Sequence, residues 1–310
     1  MTAQVHAATE GTLLRPRREP LSPEYRGDDG EYVELNDLSS STTTSVESLP
    51  RYEAVIGLSI SSSAAASPAG PSTNLHATHT FQIETLGHPL IALPFSTTPV
   101  PILIYRVLPT GTLGPLAYQS LRQTRRSGNS VLVKPDDHLA EQPLCSTSYR
   151  FGPKRPPHMQ LLGEAACDEV FEVHAKGCHT RAQGIRTHLG TFRWRYASRA
   201  ERRAAGADSL VVLDLVTSVA LAGGKSRERR RRIAQLVRND EWRTKGTRGC
   251  TAGNGGRLMM DLGDWAAAKS ELLQMEVLVI ASCIVMLKKE VDRRKMQQMI
   301  IMAGGAGGGP

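Results

Sequence analysis

The sequence predicts a mainly β (α+β) fold: an antiparallel β-barrel of about ten to twelve strands around a C-terminal hydrophobic helix, with a disordered N-terminal tail. Three observations predict it. Short segments of alternating polarity recur from residue 79 onward, separated by Gly, Pro, Asn or charged turns. No long amphipathic helix lies between them, which argues against βαβ units and a parallel sheet. Near the C-terminus, Val277–Leu287 runs for eleven residues without a charge.

The tail, residues 1–78, is poor in apolar side chains and rich in Ser, Thr, Pro and acid, with an unbroken hydroxyl run from Ser39 to Ser45. Such a segment cannot bury enough surface to offset its ordering entropy. It holds five Arg and no Lys against ten Asp or Glu, a net −5. The whole chain of 310 residues carries +8, so the remainder carries +13. An acidic tail ahead of a basic domain points to an acidic partner surface: phosphoinositide headgroups, anionic membrane, nucleic acid, or the tail itself. Phosphorylation of the tail would add negative charge and favour docking to the basic domain. Within the tail, Leu49-Pro50-Arg51-Tyr52 has the Leu-Pro-x-Tyr form that WW domains accept, a proline-ordered segment with an aromatic anchor. The candidate partner motif is therefore Leu49, Pro50 and Tyr52, and its plain alternative is a simple turn.

Candidate strands follow at residues 80–85, 101–107, 130–134, 146–151, 160–164, 169–174, 190–196, 209–216, 232–238 and 256–261. Thr191–Tyr196 is the clearest. Phe192, Trp194 and Tyr196 fall on one face, and Thr191, Arg193 and Arg195 on the other. The aromatic face should meet the core, and the arginine face water or an anion.

The final third turns helical, with a core helix over about residues 265–300 and Asp264 placed to cap it. A helix apolar on every side must be surrounded. Eleven residues rise about 16 Å, against roughly 30 Å of bilayer hydrocarbon. Tilted strands of six to eight residues give a wall of roughly 15–20 Å. A helix about 10–12 Å wide needs more than the eight strands that side chains alone can fill. The helix is therefore expected as a buried plug rather than a transmembrane segment. Three parts result: a tail at 1–78, a barrel domain at 79–302, and a flexible glycine-rich end at 303–310.

Four stretches carry a resemblance: Leu189–Tyr196 (LGTFRWRY), Val237–Trp242 (VRNDEW), Ala252–Asp261 (AGNGGRLMMD) and Met286–Arg294 (MLKKEVDRR). They resemble a group of filamentous-fungal proteins with the tubby C-terminal-like fold, the architecture shared by tubby proteins, phospholipid scramblases and plant LURP-one-related proteins. The resemblance covers roughly residues 78–294. It implies a barrel around a terminal helix and, in its tubby branch, binding to membrane phosphoinositides. The basic ligand positions of that branch have no match here, so no binding residue follows from it.

The strongest charge feature is the run Lys225 to Arg232, with Lys225, Arg227, Arg229, Arg230, Arg231 and Arg232 as candidate anion-binding residues. It suits phosphoinositide, nucleic acid or nuclear import, and its plain alternative is a solvated loop between two strands. Gly253-Asn254-Gly255-Gly256 lacks the Gly-Lys-Ser/Thr ending of a phosphate loop. Its Asn-Gly pair reads as a type I′ hairpin turn. Cys167, Cys178, His174, His179 and His188 lack the tight pairing of zinc ligands, and no nucleophile elbow occurs. Five irregularly spaced cysteines read as reduced thiols, and the N-terminus lacks a secretory signal, so a cytosolic or nuclear setting is expected. The expected role is a non-enzymatic binding or adaptor protein without cofactor, contacting anionic phospholipid through the basic run. The rivals are a nucleic-acid-associated nuclear protein and a scaffold acting through the WW-type motif.

Overall fold

A computed structural model describes residues 75–93, 100–124, 127–135, 142–149, 155–175, 180–220 and 226–305. Tail residues 1–74, with Leu49, Pro50 and Tyr52, together with Lys225, Cys178, His179 and the last five residues, lie outside them.

The described residues form a closed barrel of twelve strands. They are β1 (His79–Glu84), β2 (Ile102–Val107), β3 (Leu113–Leu121), β4 (Ser130–Lys134), β5 (Gln142–Ser148) and β6 (His158–Leu161), then β7 (Val170–Ala175), β8 (Gln183–Thr187), β9 (Gly190–Tyr196), β10 (Ser209–Ala220), β11 (Ser226–Arg238) and β12 (Gly256–Met260). Each strand pairs antiparallel with the next, and β12 closes on β1. Two helices complete the fold, α1 (Arg199–Ala204) outside the wall and α2 (Lys269–Gly305).

The core lies between the wall and α2. Met275 to Leu287 are all buried, and they pack with wall residues such as Phe81, Phe171, Trp194 and Leu258. The apolar stretch contains one hydroxyl, Ser282, which donates to the Val279 carbonyl and accepts from the Trp194 indole at 2.9 Å. Both buried polar groups are thereby satisfied. The helix Lys269–Gly304 is long and apolar enough to cross a membrane, but 72% of its most apolar window is buried inside the protein. On β9, Phe192 and Trp194 point inward as expected. The arginine face meets carboxylates of the same chain: Arg195 reaches Asp214 at 2.6 Å and Glu201 at 2.9 Å.

Several expectations need correction. β3, β8 and α1 were not expected. β3 carries Gly114 and Pro115, and β8 offers Ile185 as its sole large apolar residue, so neither gives a clear alternation. α1 is only six residues long and is held by a capping box between Ser198 and Glu201. Asp264 does not cap α2; it sits in a short 3₁₀ turn, Gly263–Trp265, and pairs with Arg231. The basic run is not a loop. From Ser226 onward it is strand β11.

Beyond the bulge at Leu213/Asp214, β10 and β11 continue past their neighbours. β9 pairs with β10 only through Leu215, and β12 meets β11 only from Ala234. The remainder is a two-stranded ribbon beyond the wall.

Candidate functional site at the helix-exit mouth

The plug helix enters the barrel at one mouth and leaves at the other. At the exit, its first charged turns must be matched by polar groups on the rim, because an unpaired charge there would lose its hydration. Glu290 is the centre. Arg238, at the end of β11 and 4% exposed, grips it through both guanidinium nitrogens at 2.7 and 2.8 Å. The Tyr196 hydroxyl, at the end of β9, donates to Glu290 as well, and so does the Gly253 backbone N–H at 2.9 Å. Burial alone would raise the Glu290 carboxyl; hydrogen bonding and charge from Arg238 outweigh it and hold the group below its ordinary value.

Gly253 is required here. Its φ is +69°, and a Cβ would stand 2.6 Å from the Leu287 carbonyl oxygen. The Gly-Asn-Gly-Gly stretch is thus a point of close approach to α2. It is not a two-residue hairpin turn, because β11 and β12 are joined by the long segment Asn239–Gly255. Asn254 accepts from Arg238 at 3.2 Å, which ties that segment to the same cluster.

Around this cluster lies a cavity of about 230 Å³. Its wall includes Arg181, Arg238, Arg243, Arg293 and Arg294, with the hydroxyl side chains of Ser209 and Thr251. Glu290 is the only carboxylate among the described lining residues, and Arg238 already occupies it. Arg243 is matched by Asp208 and Asp240 at 2.5 and 2.7 Å. Arg181, Arg293 and Arg294 have no ion pair among the described residues. Arg181 and Arg293 stand 5.6 and 5.7 Å from the Tyr196 ring centroid, and Arg293 donates to the Tyr196 hydroxyl at 3.1 Å. Arg294 donates to the Cys250 carbonyl at 3.1 Å, while its buried Nη1 lacks an acceptor. Three surplus guanidiniums thus face one small cavity, and such planar, permanently charged donors are suited to phosphate or carboxylate oxygens.

Deeper in the same mouth, Lys288 lies 4.0 Å from the Tyr149 ring centroid and donates to the Gly128 carbonyl. Lys289 donates to Gln183 at 2.5 Å. Burial pushes both ammonium groups down to about 8.

The residues of the basic run lie along β11, running away from this mouth. Arg227 and Arg229 are exposed without an ion pair among the described residues. Arg230 pairs with Glu228 at 3.0 Å, and Arg231 with Asp264. Arg232 is buried, 2.5 Å from Glu201. That carboxyl is held down at about 2, chiefly by its hydrogen bonds from Arg195. Folding therefore disperses a compact run in sequence, and it gathers five arginines at the exit from four separate segments. Among the described residues no group of three or more His, Cys, Asp or Glu stands in a metal-holding arrangement. Cys145, Cys167, Cys250 and Cys283 are free thiols.

Compared with protein-family models, curated proteins and solved structures, the chain matches none.

Proposed function

We propose that the protein is a non-enzymatic module that binds anionic phospholipid surfaces, with phosphoinositide headgroups as the ligand class, through its helix-exit mouth. The observation that carries this reading is the surplus of Arg181, Arg293 and Arg294 around a cavity whose only carboxylate among the described lining residues is already engaged. A headgroup phosphate would supply the missing counter-charge. The site differs from the sequence expectation: Arg230, Arg231 and Arg232 are matched by carboxylates, which leaves Arg227 and Arg229 as the open part of the run. We also read the chain as a tubby C-terminal-like protein, on the strength of a twelve-stranded wall closed around a terminal apolar helix.

The test is flotation with vesicles carrying phosphoinositide at physiological salt. Arg181→Gln with Arg294→Gln should weaken binding about thirtyfold, at about 1 kcal/mol per basic residue near an anionic surface. Arg227→Gln with Arg229→Gln should leave it nearly unchanged. Equal binding by the first variant and the wild type, or no wild-type binding, would sink the reading.

One observation favours a second reading. The β10–β11 ribbon projects past the wall and carries Arg227 and Arg229, and a two-stranded ribbon fits the major groove of a duplex. Binding to duplex DNA that falls steeply with salt, and that is lost with Arg227→Gln and Arg229→Gln, would establish it instead.

A further inference from the structure

Past the arginine mouth, α2 does not stop. It continues to Gly305, and Met299 to Ala303 are apolar on every side of the helix. Ile300 and Ile301 are 63% and 72% exposed. The segment after β1 lies against these turns: Gln298 joins the His88 ring at 2.7 Å and donates to the Leu90 carbonyl at 2.9 Å. There Leu90, Ile91 and Leu93 are also exposed, Ile91 at 92%. Of fourteen exposed large apolar side chains among the described residues, nine fall in residues 86–93 and 296–302. Single exposed leucines need no explanation, but a concentration at one end of a molecule does.

We propose that these two segments form a membrane-contacting tip that enters the interfacial layer of an anionic bilayer. This rests on the anionic-surface reading of the adjacent mouth. Charge selects the occupant. Arg293, Arg294 and Lys295 form a basic collar immediately behind the tip. A second copy docked tip to tip would bring two such collars together, like charge against like. A lipid surface supplies acyl chains to the tip and phosphates to the collar at once. Distance agrees. Arg294 and Ile301 are seven residues apart, about 10 Å along the helix, and apolar faces of interfacial helices sink about 5–10 Å.

The experiment places one tryptophan at the tip by Ile301→Trp in the full chain. Vesicles contain phosphoinositide, with or without brominated acyl chains. On binding, the emission of the introduced tryptophan should shift to the blue and be quenched by bromine, while the wild-type tryptophans change little. Ile300→Ser with Ile301→Ser should weaken flotation at least tenfold with the melting temperature unchanged. Flotation with an unshifted, unquenched tip tryptophan overturns the tip and leaves the arginine mouth standing. Absence of flotation overturns both. Concentration-dependent self-association without vesicles, abolished by the serine variant, overturns the membrane as occupant in favour of a second copy.

Discussion

The two mouths of the barrel use the same device with different surroundings. At the helix entry, Glu276 is buried and accepts from the Tyr118 hydroxyl; His79 and Arg106 stand 3.6 Å away. At the exit, Glu290 is buried and accepts from the Tyr196 hydroxyl, with Arg238 in direct contact. Glu276 and Glu290 are fourteen residues apart in the sequence, about 21 Å along the helix, so one acid secures each end of the plug. The difference lies in what remains. Entry charges are close to matched, and the one arginine near Glu276 is half exposed. The exit keeps three further arginines, a cavity and an apolar tip. Closing a barrel on a helix needs only what the entry has. The excess at the exit is therefore the part of the molecule that structure alone does not require.

That comparison predicts unequal costs. Glu290→Gln would leave Arg238 buried without its counter-charge, a loss of about 3–5 kcal/mol in urea unfolding. Replacing both partners, Glu290→Leu with Arg238→Met, should restore most of it, because the cost lies in the orphaned charge. Glu276→Gln should cost less, about 1–2 kcal/mol, since the amide still accepts from Tyr118 and Arg106 keeps access to water. Equal losses at the two ends would remove the distinction between them.

The architecture was largely legible in the sequence, and the site was not. Val277–Leu287 announced a buried helix because eleven uncharged residues have no other stable place in a chain this basic, and helix width then set the strand count. Ser130–Lys134 and Gly190–Tyr196 matched to the residue because alternation marks a wall with one buried face. β8 escaped because a single large apolar residue makes no pattern. The exit mouth escaped for a different reason. Arg181, Tyr196, Arg238 and Arg294 are scattered along more than a hundred residues, and only barrel closure brings strand ends and helix exit together. The run at Arg227–Arg232 misled in the opposite sense: local charge density says nothing about carboxylates such as Glu201 and Asp264 that folding delivers.

The smallest expected effect concerns the lysines deeper in the exit. Lys288 and Lys289 titrate near 8 in the folded chain, lowered first by burial, then for Lys289 by Arg293. Asp292 opposes the shift in both, while Arg122 and Lys295 reinforce it at Lys288. In the unfolded chain both titrate near their ordinary value of 10.5. Between those limits the unfolded state binds more protons, so the lysine contribution to stability rises with pH. Below about 8 both are charged in both states, and the full penalty applies. The rise is partly hidden in the wild type, because the buried thiols Cys145 and Cys283 are raised to about 12 and so lose stability as pH climbs past their ordinary value of 9. Comparison with Lys288→Met and Lys289→Met isolates the lysines. The gap in melting temperature between this variant and the wild type should move in favour of the wild type between pH 7.5 and 9.5. A gap that stays constant would mean that both ammonium groups are hydrated, and that the exit is no more closed to water than the entry, where Arg106 is half exposed.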